Sequence, residues 1–156
     1  MKIELKSVSK TYGEDGAAVN ALRSVSLSVN AGEYAVIFGP SGSGKTTLMS
    51  VMAGLQHPTE GEIVIDEISI YRELDRNGLA RLRSEYMGFV FQAFNLIPYL
   101  TALENVMLPL SPLRISARRK RDAALHVLSM MAMDNRADHL PTELSGGQIQ
   151  RAAIAR

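Results

Sequence analysis

One glycine-rich segment of the sequence has the residue types and the spacing to hold a chain of phosphate groups. It fits the pattern G-x-x-x-x-G-K-[ST] and consists of Gly39, Pro40, Ser41, Gly42, Ser43, Gly44, Lys45 and Thr46. Glycines let the backbone curl so that successive N–H groups point into one cavity, and the N-terminus of a helix adds partial positive charge. The Lys45 amine can reach the outer phosphates, and the Thr46 hydroxyl can ligate Mg²⁺. This segment predicts a nucleotide-binding site.

Such a segment must lie between a buried strand and a helix, and its flanks predict both. Residues 34–38 are a short continuous apolar run, which is typical of a strand covered on both faces. Behind Lys45, the apolar residues Leu48 and Val51 recur at helical spacing, and Gly54 is well placed to end the helix. The local pattern therefore favours a strand–loop–helix unit around the phosphate-binding segment.

The rest of the first half of the chain has the patterns of a sheet. Apolar residues alternate with polar ones over 3–5 and 25–29, which predicts half-buried antiparallel strands. Residues 63–65 and 68–70 predict a hairpin, although the turn between them lacks the glycine that a tight turn prefers. Residues 87–91 predict another buried strand.

Beyond this last strand the periodicity becomes helical. Thr101 and Glu104 fit a capping box, and Ser116 can cap a longer helix. The sequence thus predicts an α/β fold in which a mixed sheet core of about residues 1–92 carries a helical subdomain of about residues 93–144.

A second glycine-containing segment begins the last part of the chain, residues 145–156. It consists of Leu144, Ser145, Gly146, Gly147 and Gln148. Ser145 and Gln148 have the spacing of a capping box, so the last helix is predicted to begin here. Two glycines in its first turn leave backbone N–H groups unshielded, which suits an anion.

Composition and charge exclude several classes of protein. With 46% hydrophobic residues the 156-residue chain can build a core, and the absence of cysteine excludes a disulfide scaffold and a thiol nucleophile. Seventeen Lys and Arg against sixteen Asp and Glu give a net charge of +1, which argues against nonspecific nucleic-acid binding. No apolar run approaches the roughly 20 residues of a membrane helix. We expect a soluble cytoplasmic chain that does not bind nucleic acid.

In order and spacing, these segments resemble the ATP-binding-cassette (ABC) transporter ATPases, a branch of the P-loop NTPases. The resemblance rests on the glycine–lysine loop, on Gln92 directly after a predicted buried strand, and on the segment 144–148. Residues 88–98 and 103–106 further resemble the branch that contains lipoprotein-releasing and macrolide-export cassettes.

The resemblance implies a role for each segment. It implies that Thr47 joins the loop in holding the phosphates of ATP, that Thr46 and Gln92 approach Mg²⁺, and that Tyr12 stacks on adenine. It also implies that Ser145 and its neighbours in 144–148 reach the γ-phosphate bound by a second ATPase subunit in a head-to-tail dimer. The implied partners are that subunit and a membrane permease, which would hold the chain at the inner face of the cell membrane.

The resemblance also implies that parts of the domain lie outside these residues. In the family an acidic strand with the catalytic glutamate follows the helix that begins at the segment 144–148. The expected acid therefore lies beyond Arg156, and no catalytic residue is assigned in this chain. By the family's strand order, two strands that this chain lacks are expected to lie between the strands 34–38 and 87–91 in the sheet. We therefore expect a truncated cassette that lacks C-terminal core strands, folds poorly in isolation and does not turn over ATP.

Three alternatives remain open from the residues. Asp66 and Glu67 follow an apolar strand, and in a soluble P-loop phosphotransferase they would hold Mg²⁺ and activate water. A cassette ATPase of chromosome maintenance is disfavoured because prolines interrupt the interval where long heptads would lie. The chain can also be a non-catalytic nucleotide-binding fragment.

Overall fold

The computed structural model describes residues 1–13 and 17–156, which divide into two units, Met1–Gly88 and Phe89–Arg156. The strands of the first unit are β1 (Ile3–Tyr12), β2 (Val19–Val29), β3 (Glu60–Ile65) and β4 (Ile68–Ser69). Its helices are α1 (Lys45–Met52), α2 (Ile70–Glu73) and α3 (Arg76–Tyr86). The four strands form one sheet in the order β2-β1-β3-β4, and each neighbouring pair is antiparallel.

The long pair β1–β2 confirms the strands predicted from the alternation near the N-terminus. Ile3 pairs with Val29 and Leu5 with Leu27, so the apolar positions of both strands fall on the same face. This face packs against α1 and the helices that follow β4. The core of the unit consists of Leu5, Val8, Leu22, Leu48, Val51, Ile63, Ile65, Ile70 and Leu79.

The hairpin between β3 and β4 is also confirmed, and its turn is made without glycine. Asp66 and Glu67 have φ values of +42° and +73°, the left-handed conformations of a type I′ turn. The Lys2 N–H donates to the Asp66 carboxylate at 2.6 Å, which ties this turn to the start of β1. Ile70 does not extend β4, because it begins helix α2.

The two segments predicted as strands covered on both faces, 34–38 and 87–91, are not strands in the structure. Among the described residues, no strand pairs with either segment. Tyr34 and Phe38 are 89% and 87% exposed, so the predicted burial is also wrong. The reason is physical: a strand exists only through ladder hydrogen bonds to a neighbour, and an apolar run cannot supply that neighbour.

The second unit is helical. Its helices are α4 (Ala102–Met107), α5 (Ala117–Met130) and α6 (Gly146–Ala155), with 3₁₀ turns at Leu108–Leu110, Asp134–Arg136 and Pro141–Glu143. The predicted caps are confirmed. The Glu104 N–H donates to the Thr101 hydroxyl at 3.2 Å, and the Arg119 N–H donates to the Ser116 hydroxyl at 3.3 Å.

The buried side chains of this unit converge on α4. They are Ala102, Leu103, Val106, Ala124, Leu128, Met133, Ala137, Leu144 and Ala152. The fully buried Asn105 fastens the preceding loop to α4, because its amide group bonds the N–H of Ile97 and the carbonyls of Ile97, Leu100 and Thr101. Helix α6 thereby packs on a fixed support.

Candidate functional site

Helix α1 begins directly at the glycine-rich segment, as predicted. Its N-cap is Gly44, which offers no side chain to bond the first N–H groups of the helix. Among the described residues, the N–H groups from Gly44 through Thr47 have no acceptor, whereas the Leu48 N–H donates to the Gly44 carbonyl at 2.8 Å. Four donors at the positive end of a helix therefore remain open for an anion.

The position of Gly44 admits only glycine. Its φ is +89°, a left-handed conformation that L side chains rarely adopt. A Cβ atom added there would lie 2.3 Å from the backbone carbonyl oxygen of Ala21 on β2. The glycine is thus required by the packing of the loop on the sheet.

The Lys45 side chain turns back over the loop. Its amine donates to the carbonyls of Gly39 at 2.8 Å and Pro40 at 2.7 Å, and lies 3.3 Å from the Ser43 hydroxyl oxygen. The positive charge of Lys45 is thereby held over the loop that precedes α1. The loop combines backbone donors and one cation, which is the chemistry that a polyphosphate requires.

The residues expected to approach Mg²⁺ supply oxygen atoms of the right kind. Thr46 is exposed at the second position of α1, and Gln92 is exposed in the turn that follows 87–91. Mg²⁺ prefers oxygen ligands and is often held by one or two protein groups together with phosphate oxygens and water. A hydroxyl and an amide oxygen fit this requirement. Their shared role stays a prediction, since the two residues belong to different units.

The opposite end of α1 lies at Gly54, as predicted, and is also held by two residues that sequence reasoning missed, Tyr71 and Arg83. The helix ends in a Schellman motif in which the N–H groups of Gly54 and Leu55 donate to Val51 and Ser50. The Tyr71 hydroxyl lies 2.6 Å from the Val51 carbonyl oxygen, and Arg83 donates to the Gly54 carbonyl at 2.7 Å. A cation and a hydroxyl thus bond the carbonyls at the negative end of the helix.

Burial of Tyr71 raises the pKa of its phenol to about 12. The hydroxyl therefore stays protonated, and remains a donor to its carbonyl partners, over the whole physiological pH range. It also lies 2.5 Å from the Gln56 carbonyl oxygen. Together with Arg83, Tyr71 fixes the helix whose other end begins at the glycine-rich loop 39–46.

Tyr12, the predicted adenine platform, lies at the end of β1 and is 39% exposed. Its hydroxyl donates to the side-chain oxygen of Gln56, and the Lys10 ammonium lies 5.2 Å from the centroid of its ring. Among the described residues, no hydrogen bond joins Tyr12 to the loop 39–46. Its role toward adenine stays a prediction.

The predicted capping box of the second glycine segment is confirmed. The Gln148 N–H donates to the Ser145 hydroxyl at 3.4 Å, and the Ser145 N–H donates to the Gln148 side chain at 2.8 Å. Leu144 is buried and anchors the segment, while Ser145, Gly146 and Gly147 are exposed. The N-terminus of α6 is thus an exposed surface with a fixed backbone.

The packing of the described residues does not require glycine at Gly146 or Gly147. Among those residues, a Cβ atom added to Gly146 would meet nothing within 4 Å, and one added to Gly147 would lie 4.0 Å from a terminal nitrogen of Arg151. Both residues are also helical, with ordinary backbone angles. Any requirement for glycine here must come from a group that approaches the helix from outside.

The turn after Gln92 is tied to the far end of α6. Phe94 and Asn95 are both left-handed, with φ values of +60° and +49°. Arg156 donates to the carbonyl of Asn95 at 2.5 Å and to that of Phe94 at 3.3 Å. The guanidinium stabilises a backbone conformation that non-glycine residues seldom adopt.

The alternative catalytic pair does not form an acidic cluster. Asp66 lies in the hairpin turn and is occupied by the Lys2 N–H, and Glu67 is its neighbour in that turn. Within the described ranges, no three His, Cys, Asp or Glu side chains come together. Because the Asp66 carboxylate already accepts a backbone hydrogen bond, this turn adds no support to the phosphotransferase hypothesis.

None of the helices in the described part of the chain has both the length and the hydropathy needed to cross a bilayer. The basic residues Arg118, Arg119 and Arg121 lie exposed on α5, and Arg118 is 3.9 Å from Asp122.

Comparison with known proteins places these features in one family. A family model described as ABC transporter matches residues 22–156. An uncharacterised ABC transporter ATP-binding protein of Methanocaldococcus jannaschii is 48% identical over 158 residues, with 99% of this chain and 67% of the relative covered. Its dimeric structure in a post-hydrolysis state, with ADP and Pi, superimposes with a TM-score of 0.90 at 46% identity and covers 98% of this chain and 67% of that one.

Two further relatives are named for a transport process. The lipoprotein-releasing system ATP-binding protein of Bacteroides thetaiotaomicron is 40% identical over 154 residues, covering 99% of this chain and 68% of the relative. A macrolide export ATP-binding/permease protein of Hyphomonas neptunium is 42% identical over 154 residues, covering 99% of this chain and 24% of the relative. The chain spans about two thirds of the length of the curated single-cassette relatives.

Proposed function

The chain belongs to the ABC transporter family of ATPases, and from this premise we propose that it binds MgATP as part of a motor that drives a membrane permease. The observation that carries the proposal is the start of α1. There, four backbone N–H groups have no acceptor among the described residues, and the Lys45 amine lies over the loop that precedes them. This is the donor set that a triphosphate tail requires.

In the proposed complex the loop residues and Thr47 bind the phosphates. Thr46 and Gln92 would ligate Mg²⁺, which neutralises part of the phosphate charge when bound. Tyr12 would stack on adenine. No residue of this chain is proposed as the general base for water, since Asp66 and Glu67 are held in a hairpin turn. We propose that this base lies outside residues 1–156.

A second ATPase subunit is proposed to complete the site. Gly146 and Gly147 present N–H groups on an exposed helix start, and neither glycine is required by the packing of its own chain. A γ-phosphate bound to another copy is a group that would need such close approach. Closure on a triphosphate, but not on a diphosphate, would give ATP a higher affinity for the dimer, and hydrolysis would release it.

The partner proposed at the membrane is a permease for export or extraction. The relatives named for lipoprotein release and macrolide export support this direction of transport. The chain would then act at the cytoplasmic face of the membrane, held there by the permease. Gln92, in the turn at the start of the helical region, is proposed to transmit the nucleotide state to that partner.

Phosphate binding is tested with Lys45→Ala. We expect the Kd for MgATP to rise about a hundredfold or more, because a charge-assisted donor is worth roughly 1.5–3 kcal/mol and Lys45 also supplies long-range attraction. Equilibrium dialysis measures the change. Lys120→Ala is the matched control, since the Lys120 amine also donates to a backbone carbonyl, that of Ser111, at 2.8 Å. Equal affinity in both variants would contradict the proposal.

The shared site is tested with Ser145→Arg. The longer side chain should leave ATP binding by the single subunit unchanged but block ATP-driven dimerisation, because it would occupy an exposed surface that is proposed to face the partner. Light scattering with and without ATP reports the dimer. Loss of ATP binding by the single subunit in this variant would argue against a site shared between two copies.

A further inference from the structure

The ring of Tyr12 is held by two residues that no motif contains. Its hydroxyl donates to the side-chain oxygen of Gln56. The Lys10 ammonium lies over the ring, 5.2 Å from its centroid, within the range of a cation–π contact. One residue thus fixes the far end of the ring and the other covers one of its faces.

Both holding groups are attached to the segment that directly follows α1. Gln56 belongs to that segment, and the Lys10 amine donates to the carbonyl of His57 at 2.8 Å. The segment is itself fixed, since the Gln56 N–H donates to the Ser50 carbonyl at 3.3 Å. The orientation of the Tyr12 ring is therefore set by the end of the helix whose start forms the phosphate loop.

We propose that Lys10 and Gln56 are positioning residues for the nucleotide base, which hold the Tyr12 ring so that one face meets Lys10 and the other receives the purine. The proposal rests on the role of Tyr12 as the adenine platform in the proposed function. A base can stack only on the face that Lys10 leaves uncovered, and the hydroxyl tether limits the swing of the ring about the Cα–Cβ bond of Tyr12. Preorganisation of the platform increases affinity for ligands that carry a base.

The phosphate site and the base site can be separated by ligand. MgATP occupies both, whereas magnesium tripolyphosphate has no base. Gln56→Leu should weaken MgATP about three- to tenfold, the range expected for one lost hydrogen bond, and leave tripolyphosphate binding unchanged. Gln56→Glu keeps an acceptor oxygen for the Tyr12 hydroxyl, so the ratio of the two affinities should return to that of the unchanged protein.

A double-mutant cycle tests whether Gln56 affects MgATP binding through its hydrogen bond with the Tyr12 hydroxyl. Tyr12→Phe keeps the ring and removes the hydroxyl, so it should weaken MgATP about as much as Gln56→Leu does. The double variant should then bind no more weakly than either single variant. Additive losses would overturn the proposal, because Gln56 would then act by another route.

Lys10→Met tests the covered face. It should lower the affinity for MgATP about two- to fivefold relative to tripolyphosphate. Lys6→Met is the matched control, because Lys6 lies on the same strand and pairs with Glu62 at 3.7 Å. An equal loss for both ligands in Lys10→Met or Gln56→Leu would show a role in the fold or in α1, and would overturn the proposal.

The same measurements distinguish failure of this proposal from failure of the proposed function. If the unchanged protein binds neither ligand, the phosphate site itself is refuted and the positioning role falls with it. If it binds both ligands equally and Lys45→Ala abolishes both, the phosphate site stands and a base platform at Tyr12 is refuted. If it prefers MgATP and neither Gln56→Leu nor Lys10→Met changes that preference, the positioning role alone is refuted.

Discussion

Helices α1 and α6 both begin at a glycine-containing segment, yet their first turns are built differently. At α1 the N-cap is a left-handed glycine without a side-chain bond, and its open donors are accompanied by the Lys45 amine. At α6 the cap is Ser145, which already bonds the Gln148 N–H, so fewer donors remain open. The first helix start thus offers an anion more open donors and a cation, whereas the second is proposed to contribute to a phosphate held by another copy.

The glycines at the two helix starts also differ in whether the packing of their own chain requires them. Gly44 is required by its own chain, because a Cβ atom there would collide with β2. In the described part of the chain, a Cβ atom at Gly146 or Gly147 would meet nothing closer than 4.0 Å. A glycine that its own fold does not require indicates a requirement from a ligand or a partner, and this contrast can be measured.

The largest expected effect on stability is that of Gly44→Ala. A left-handed alanine whose Cβ lies 2.3 Å from the Ala21 carbonyl oxygen should lower the free energy of unfolding by about 2–3 kcal/mol. Urea denaturation followed by circular dichroism measures this change. Unfolding at the urea concentration of the unchanged protein would mean that the loop tolerates a side chain, and the contrast with α6 would be lost.

The cap of α6 should contribute less. Ser145→Ala removes the acceptor of the Gln148 N–H and should cost about 1 kcal/mol of unfolding free energy. Ser145→Asp restores an acceptor and is the control, since it should regain most of that stability. If Ser145→Ala and Ser145→Asp had equal free energies of unfolding, the observed cap would not contribute to stability.

The effect of Gly147→Ala should have the opposite sign. Alanine is favoured over glycine in a helix, so the free energy of unfolding should rise, by about 0.5 kcal/mol at this position near the helix start. We expect ATP-driven dimerisation to fall in the same variant, because the added methyl group obstructs close approach. Destabilisation would show that the chain itself needs this glycine and would remove the difference from Gly44.

The smallest expected effect on the free energy of unfolding appears only at high pH and concerns Tyr71 at the C-terminal end of α1. Burial raises the pKa of Tyr71 to about 12 from its ordinary value of 10.0, so the folded state retains the proton longer than the unfolded state. The contribution of Tyr71 to stability is complete below pH 10 and is lost as the pH rises toward 12. Tyr71→Phe should therefore show a shallower fall of unfolding free energy over this interval.

The matched control for this pH effect is Tyr34→Phe, at an exposed position. It should leave the slope above pH 10 unchanged. If the unfolding free energy of Tyr71→Phe fell as steeply above pH 10 as that of the unchanged protein, the Tyr71 phenol would not be buried against the C-terminal end of α1.

Features that depend on neighbours along the chain were predictable from the sequence. Each cap, at Thr101, Ser116 and Ser145, is a contact over three residues, and each is confirmed. The start of α1 after the glycine loop is local in the same way. A spacing pattern specifies such contacts because the helix geometry itself brings the residues together.

The burial of 34–38 was predicted wrongly because it depends on residues distant in the sequence. Its apolar run carries a preference for a covered strand, but the cover must come from another part of a chain, and none of the described strands pairs with it. Hydropathy reports what a segment would bury and not whether a neighbour is present to bury it.

The sequence by itself determined the glycine-rich loop 39–46, the segment 144–148 and the helix caps, because each consists of residues only a few positions apart. Only the tertiary structure decided that Gly44 faces the Ala21 carbonyl, that Tyr71 and Arg83 hold the end of α1, and that Gln56 meets Tyr12 across 44 positions of chain. Such contacts depend on how strands and helices pack, and packing sets which distant groups meet.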